Sequence, residues 1–267
     1  MDYSDSRCCF DASQYTGHPD TQPCPCSVNV PELVKKLDEL QNSGRLAAAQ
    51  ELIEHGVSSA HKSGDWRSEL SLQSELMGLH RRTGDKAAAQ AAVDRGLELI
   101  RLHHLGDTVS GATIMLNAAT TMKFLGLSAD ALPIFRHVSR VFGASLDPAD
   151  YRFAGLYNNM ALSMADVGDF DGAQRHFFMA LDIIRLCRDP GNDEAVTWCN
   201  LAELYERMGL DDKIESALDN AYACLTDPEL ARDGYHAFTL SKCIPTFDRL
   251  GYFIYTKSLK ERLEAIK

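Results

Sequence analysis

No stretch of this 267-residue chain approaches the roughly 18 consecutive apolar residues of a membrane-spanning helix, so no membrane association is expected. Basic residues are scarce as well: 27 Lys and Arg against 38 Asp and Glu give a formal net charge of -11. A general nucleic-acid binder needs a basic face for phosphate contacts, and this composition argues against one. The opening residues, MDYSDSRCCF, put acids where a secretory leader carries bases, and no apolar core follows them. The expected location is therefore cytoplasmic. Eight cysteines are too few for a disulfide scaffold in a chain this long. Cys187, Cys199, Cys224 and Cys243 fall inside helical patterns, where a free cysteine acts as a small hydrophobe.

Catalytic signatures are missing too. There is no P-loop, no G-x-G-x-x-G, no H-E-x-x-H and no G-x-S-x-G; GVSSA and GLSADA approach the last by chance, inside helical patterns. His103 and His104 are adjacent on a helix, so their rings diverge, and they suit the negative C-terminal end of that helix better than a shared metal. Asp211 and Asp212 open a helix, where acids favour the dipole. Neither an enzyme nor a cofactor is expected.

What is present is a period. Glycines recur at Gly44, Gly84, Gly126, Gly168, Gly209 and Gly251, at spacings of 40, 42, 42, 41 and 42. Each separates two amphipathic stretches, as a C-cap glycine between two helices does. Five residues after each glycine stand Ala49, Ala89, Ala131, Ala173, Ile214 and Thr256. Twelve after come Gly56, Gly96, Val138, Ala180, Ala221 and Leu263, and seven before come Leu37, Met77, Ala119, Ala161, Ala202 and Ile244. Small residues at fixed offsets on both helices let two backbones approach, so each unit reads as an antiparallel hairpin. Asp147-Pro148, Asp189-Pro190 and Asp227-Pro228 each set a capping acid before a proline able to open the next helix. The expected fold is all-α: an α-solenoid of six hairpins, near 31–64, 65–106, 107–147, 148–189, 190–227 and 228–267. Stacked, they would form a right-handed superhelix with a concave groove.

Residues Trp198, Leu201, Ala202 and Tyr205 of WCNLAELY resemble the first-helix signature of tetratricopeptide (TPR) repeats, with alanine where glycine is usual. Ala131 with Phe135, and Ala173 with Phe177, resemble the second-helix pattern of alanine and then an aromatic residue four later. The phrases YNNMALSMADVGDFDGAQ and ADALPIFRHV resemble the 42-residue repeats of kinesin light chain and bacterial relatives, including Pro133 early in a second helix, where a slight bend is expected. The resemblance is strongest in the third to fifth units. The first lacks the aromatic pattern, and the sixth has Pro245 in mid-helix.

Nine residues before the glycines stand Lys35, Glu75, Asn117, Asn159, Asn200 and Lys242. This position lies about 200° around the first helix from the small-residue position two later, on the side turned away from its own partner helix. A solvated face would be better served by lysine or glutamate, since asparagine is a weaker helix former. Asparagine offers both a donor and an acceptor, which matches an extended peptide backbone. In the arrays this chain resembles, first helices line the concave groove and asparagines at this place hold a peptide. The resemblance implies a ladder of Asn117, Asn159 and Asn200, with Lys242 at one end. Arg82, Phe124, Asp166, Arg207 and Arg249, two before their glycines, are expected beside it, with Arg82, Arg207 and Arg249 favouring an acidic segment. Asn158, only about 60° from the packing stripe, is expected to bond a neighbouring helix or turn.

The function expected is a non-enzymatic adaptor binding an extended segment of another protein. The alternative is a peptide-sensing regulator, disfavoured because residues 1–30 are too short for a helix-turn-helix module. Those residues are polar and aperiodic, and a flexible tail is the first expectation. Cys8, Cys9, Cys24 and Cys26, with His18 between them, leave a metal or redox role as the other alternative, though CC and C-x-C pairs are tighter than a familiar finger.

Overall fold

The computed structural model describes residues 28–187 and 190–266, and among them there are twelve α-helices and no strand. Cys8, Cys9, Cys24 and Cys26, with their expected metal or redox role, and the expected cap Asp189 lie outside the described residues. Two compact units divide the chain, one reaching to Leu146 and one starting at Asp147. The N-terminal unit holds α1 (Val30–Asn42), α2 (Leu46–Ser63), α3 (Trp66–Thr83), α4 (Lys86–Leu102), α5 (Val109–Phe124) and α6 (Ser128–Ser145). The C-terminal unit holds α7 (Arg152–Asp166), α8 (Phe170–Ile184), α9 (Gly191–Met208), α10 (Asp211–Thr226), α11 (Gly234–Arg249) and α12 (Phe253–Glu264). Within each unit, consecutive helices pack in pairs, and first helices also pack on first helices. The architecture is an all-α solenoid.

The turns follow from backbone chemistry. All six periodic glycines have positive φ, from 69° to 87°, and Gly64 joins them at 73°. That left-handed conformation lets each chain reverse between helices at a position where a Cβ would be strained. Three of these glycines are followed by an aspartate that caps the next helix: Asp65 accepts from Ser68 N, Asp85 from Ala88 N and Asp169 from Gly172 N, at 2.9–3.1 Å. At Asp147 and Asp227 the expected Asp-Pro caps are not formed. Asp147 instead accepts from Ala149 N, and Asp227 from Glu229 N, both at 2.8 Å. The helices open later, at Arg152 and Gly234. The aspartate in these pairs is satisfied by a tight local turn two residues on, before any helix has begun.

The small-residue offsets are where the helices meet. Leu37, Met77, Ala119, Ala161 and Ala202 are fully buried, as are Ala49, Ala89, Ala131 and Ala173. At Gly56 an added Cβ would lie 2.5 Å from Leu33 Cδ1 and 3.1 Å from Leu72 Cδ1, so glycine there permits the close approach of α2 to its neighbours. Phe135, Phe142, Phe177 and Phe247 fill the remaining interior. Helices α6 and α11 run on past Pro133 and Pro245 to Ser145 and Arg249.

Candidate binding surfaces

In the N-terminal unit, the position nine before glycine is occupied by Glu75 on α3 and Asn117 on α5. Asn117 is buried, and its Nδ2 donates to Ser74 Oγ at 2.8 Å. Arg81, also buried, donates through Nη1 to Asn117 O at 3.4 Å and to Thr121 Oγ1. Burial and the neighbouring Asp38 carboxylate push Glu75 up to about 7, with Arg81 pulling the other way. Arg82 reaches back to α1 and donates to Gln41 Oε1 at 2.6 Å. A second polar cluster joins three helices. Glu69 accepts from Arg95 Nε at 2.6 Å and from Arg95 Nη2 at 3.1 Å, and its Oε2 lies 3.1 Å from His61 Nδ1. Burial works to raise Glu69, but the bonds to Arg95 and His61 outweigh it and hold the carboxyl below its ordinary value.

The C-terminal unit carries Asn159 on α7, Asn200 on α9 and Lys242 on α11. The asparagines are each 3% exposed. Asn200 Nδ2 donates to Asn158 Oδ1 at 3.0 Å, so Asn158 bonds a neighbouring helix as expected of a structural residue. Asn159 Nδ2 donates to Gly155 O in its own helix at 3.0 Å, and its Oδ1 is buried without a partner. The arginines two before glycine reach back one repeat. Arg207 donates to Ala165 O at 2.5 Å and lies 3.8 Å from Asp166. Arg249 bonds Glu206 and lies 3.5 Å from Glu203, whose carboxylate also accepts from Thr246 at 2.8 Å. Lys242 is exposed, with its Nζ 5.3 Å from the centre of the Phe238 ring.

The sequence pattern treats these asparagine amides as lying outside the packing stripe. The structure places them nearly out of solvent, with all three Nδ2 atoms donating inside their own unit. The cause is the packing of first helix on first helix, which covers a side that a single hairpin leaves open. The arginines likewise carry internal contacts, each one repeat apart.

No protein-family model and no curated protein matches the chain. Solved structures do. A putative kinesin light chain of Podosopora anserina, built of nearly identical TPR-like repeats, shares 16% identity and a TM-score of 0.54, covering 74% of this chain and 94% of its own. A single-substitution variant of that protein gives 16% and 0.55, covering 74% and 93%. BtubC (BKLC) from P. vanneervenii gives 17% and 0.54, covering 84% and 90%. The fold is that of a TPR-like repeat protein.

Further features of the TPR-like chain escape the reading of glycines and asparagines. Asp193, in the first turn of α9, accepts from Tyr151 OH through Oδ2 and from Tyr235 OH through Oδ1. These three residues are 42 apart, so the period carried the signal. Next to it, Asn192 Oδ1 lies 2.8 Å from Nδ1 of the fully buried His236. His103 follows α4 and stacks on Trp66, with ring centroids 3.8 Å apart. His104, at φ 53°, takes the left-handed position that glycine holds elsewhere. Among the described residues, no group of three His, Cys, Asp or Glu side chains could hold a metal, and no helix is long and apolar enough to cross a membrane.

Proposed function

We propose that this chain is a non-enzymatic scaffold that binds a segment of another protein. The observation that carries this reading is the fold itself: stacked helical hairpins, with first helices packed on first helices within each unit, in a fold similar to solved TPR-like repeats. In the C-terminal unit we place an extended segment along Asn159, Asn200 and Lys242, flanked by Arg207 and Arg249. In the N-terminal unit the corresponding positions are Asn117 and Arg82. Register supports the assignment, because these residues recur one repeat apart on successive first helices.

An acidic segment suits the exposed Lys242 ammonium and the half-exposed guanidinium groups of Arg207 and Arg249. Free thiols at Cys187, Cys199, Cys224 and Cys243 fit a reducing, cytoplasmic compartment.

A peptide library displayed on phage and selected on the intact protein tests this. Acidic, extended sequences should be enriched, and their binding should fall several-fold with Lys242→Glu and weaken with added salt. Binding that is equally strong in the Lys242→Glu and Asn159→Ala variants would place the site elsewhere. No enrichment at all would remove the scaffold reading.

A further inference from the structure

We propose that His236 is an acid-released latch on the last helix of the C-terminal unit: protonating it breaks its bond to Arg262 and frees the last turn of α12. The chemistry of the two side chains requires one tautomer. Arg262 Nε lies 3.2 Å from His236 Nε2, and a guanidinium can only donate, so Nε2 must present its lone pair. The hydrogen then sits on Nδ1, where it donates to Asn192 Oδ1 at 2.8 Å. The neutral ring thus bridges α9 and α12 from its place on α11. A second proton has one place to go, Nε2. It would set a donor against a donor and a cation against a cation, in a site with no exposure to solvent.

Of the charged groups facing the ring, Asp233 alone opposes the others, and it is outweighed. From α12 it meets the Arg262 guanidinium. From α9 it meets the neutral Asn192 amide, and the adjacent Asp193 carboxylate already accepts from Tyr151 and Tyr235. From the segment before α11 come Arg232, which adds positive charge, and Asp233, whose carboxylate caps the helix by accepting from His236 N at 3.0 Å. From the end of α10, the Asp227 carbonyl accepts from Arg262 Nη2 at 3.0 Å, and the Asp227 and Tyr222 side chains act on Arg262, not on the ring. Burial first, and Arg262 next, hold the imidazole below its ordinary value of 6.5, with Asp233 opposing.

The rest of α12 is held elsewhere. Tyr255 OH donates to Asp219 at 2.8 Å, Tyr255 stacks on Tyr222 with centroids 4.1 Å apart, and Ser258 bonds Tyr222 OH at 2.9 Å. Those contacts and the fully buried Leu259 secure the helix through its middle, and Arg262 secures the last turn. A histidine with a depressed value in the closed state contributes closure that is complete above about pH 6.5. That closure is lost as pH falls toward the lower value, with opening rising by up to about tenfold per pH unit.

Amide hydrogen exchange on the full chain from pH 8 to pH 5, normalised to chemical exchange rates, reads this directly. Protection of residues 261–264 should fall by up to about tenfold per pH unit below 6.5 while α9 stays protected. In His236→Gln, whose side-chain oxygen can still accept from Arg262, protection should not depend on pH. The imidazole of His236 should titrate below its ordinary value by NMR, and its midpoint should rise in Arg262→Met. Equal pH dependence in wild type and His236→Gln would overturn the latch. So would wild-type protection that stays flat to pH 5, or a His236 midpoint at or above the ordinary value.

Discussion

Glu75 shows how one side chain can tie stability to pH. Its carboxyl is pushed up to about 7 by burial and by Asp38, above the 4.5 of a free carboxyl. A carboxyl raised in the folded state binds its proton more tightly there than in the unfolded chain. Its contribution is therefore complete below about pH 4.5 and is lost as pH rises through 7. Urea midpoints between pH 5 and pH 8 should fall with pH in the wild type and much less in Glu75→Gln. The variant should gain on the order of 2–3 kcal/mol at pH 8, and equal slopes would contradict the assignment. The asparagines separate in the same way. Asn200→Ala strips the partner from the fully buried Asn158 oxygen, which should cost about 1–3 kcal/mol. Asn159→Ala removes only a bond to a carbonyl in its own helix and should cost under about 1 kcal/mol. Thermal melts of the two variants check this, and a reversed order would contradict it. That Asn159 and Asn200 are unusual helix residues is legible in the sequence. Which of them bonds across helices is not, because that depends on where Asn158 of the neighbouring helix points.

Turn and helix boundaries rest on glycines of two kinds. At Gly168 nothing lies within 4 Å of an added Cβ, so its need for glycine is the backbone alone, at φ 87°. Gly168→Val should cost about 1 kcal/mol or more, since a β-branched residue resists the left-handed region. At Gly111, in the first turn of α5, an added Cβ would lie 2.0 Å from the carbonyl oxygen of Leu105. Backbone cannot step aside as a side-chain end can, so Gly111→Ala should cost about 1–3 kcal/mol. Denaturant titration of both variants reads these costs, and wild-type stability in either one would contradict its assigned role. The period exposes Gly168 as a turn glycine. Nothing local marks Gly111, whose constraint comes from the Leu105 carbonyl just before the helix. His104 is the converse case: a left-handed turn residue invisible to a search for glycine.

Across the whole molecule, stability should be a sum over neighbouring hairpins, because in a solenoid each hairpin buries its apolar face on the next. Deleting residues 228–267 removes α11 and α12 and uncovers the α9 side that met them, including Asn192 and Asp193. The shortened chain should keep a helical circular-dichroism spectrum, reduced in proportion to the residues lost, and melt several degrees lower. Complete loss of helicity would show that the last hairpin is required for the rest to fold. The repeat length, the all-helical class, the six left-handed glycines and the buried small-residue positions are all determined by the sequence alone. They depend on contacts inside one hairpin, which recur every 40 to 42 residues. Tertiary structure alone decided which polar groups are spoken for. Asn117 meets Ser74, Asn200 meets Asn158, Arg207 meets Ala165, and His236 stands between Asn192 and Arg262. Each of these pairs joins different helices. A pattern read along one helix gives the side on which a residue lies, but the neighbour that covers that side exists only after the hairpins have stacked.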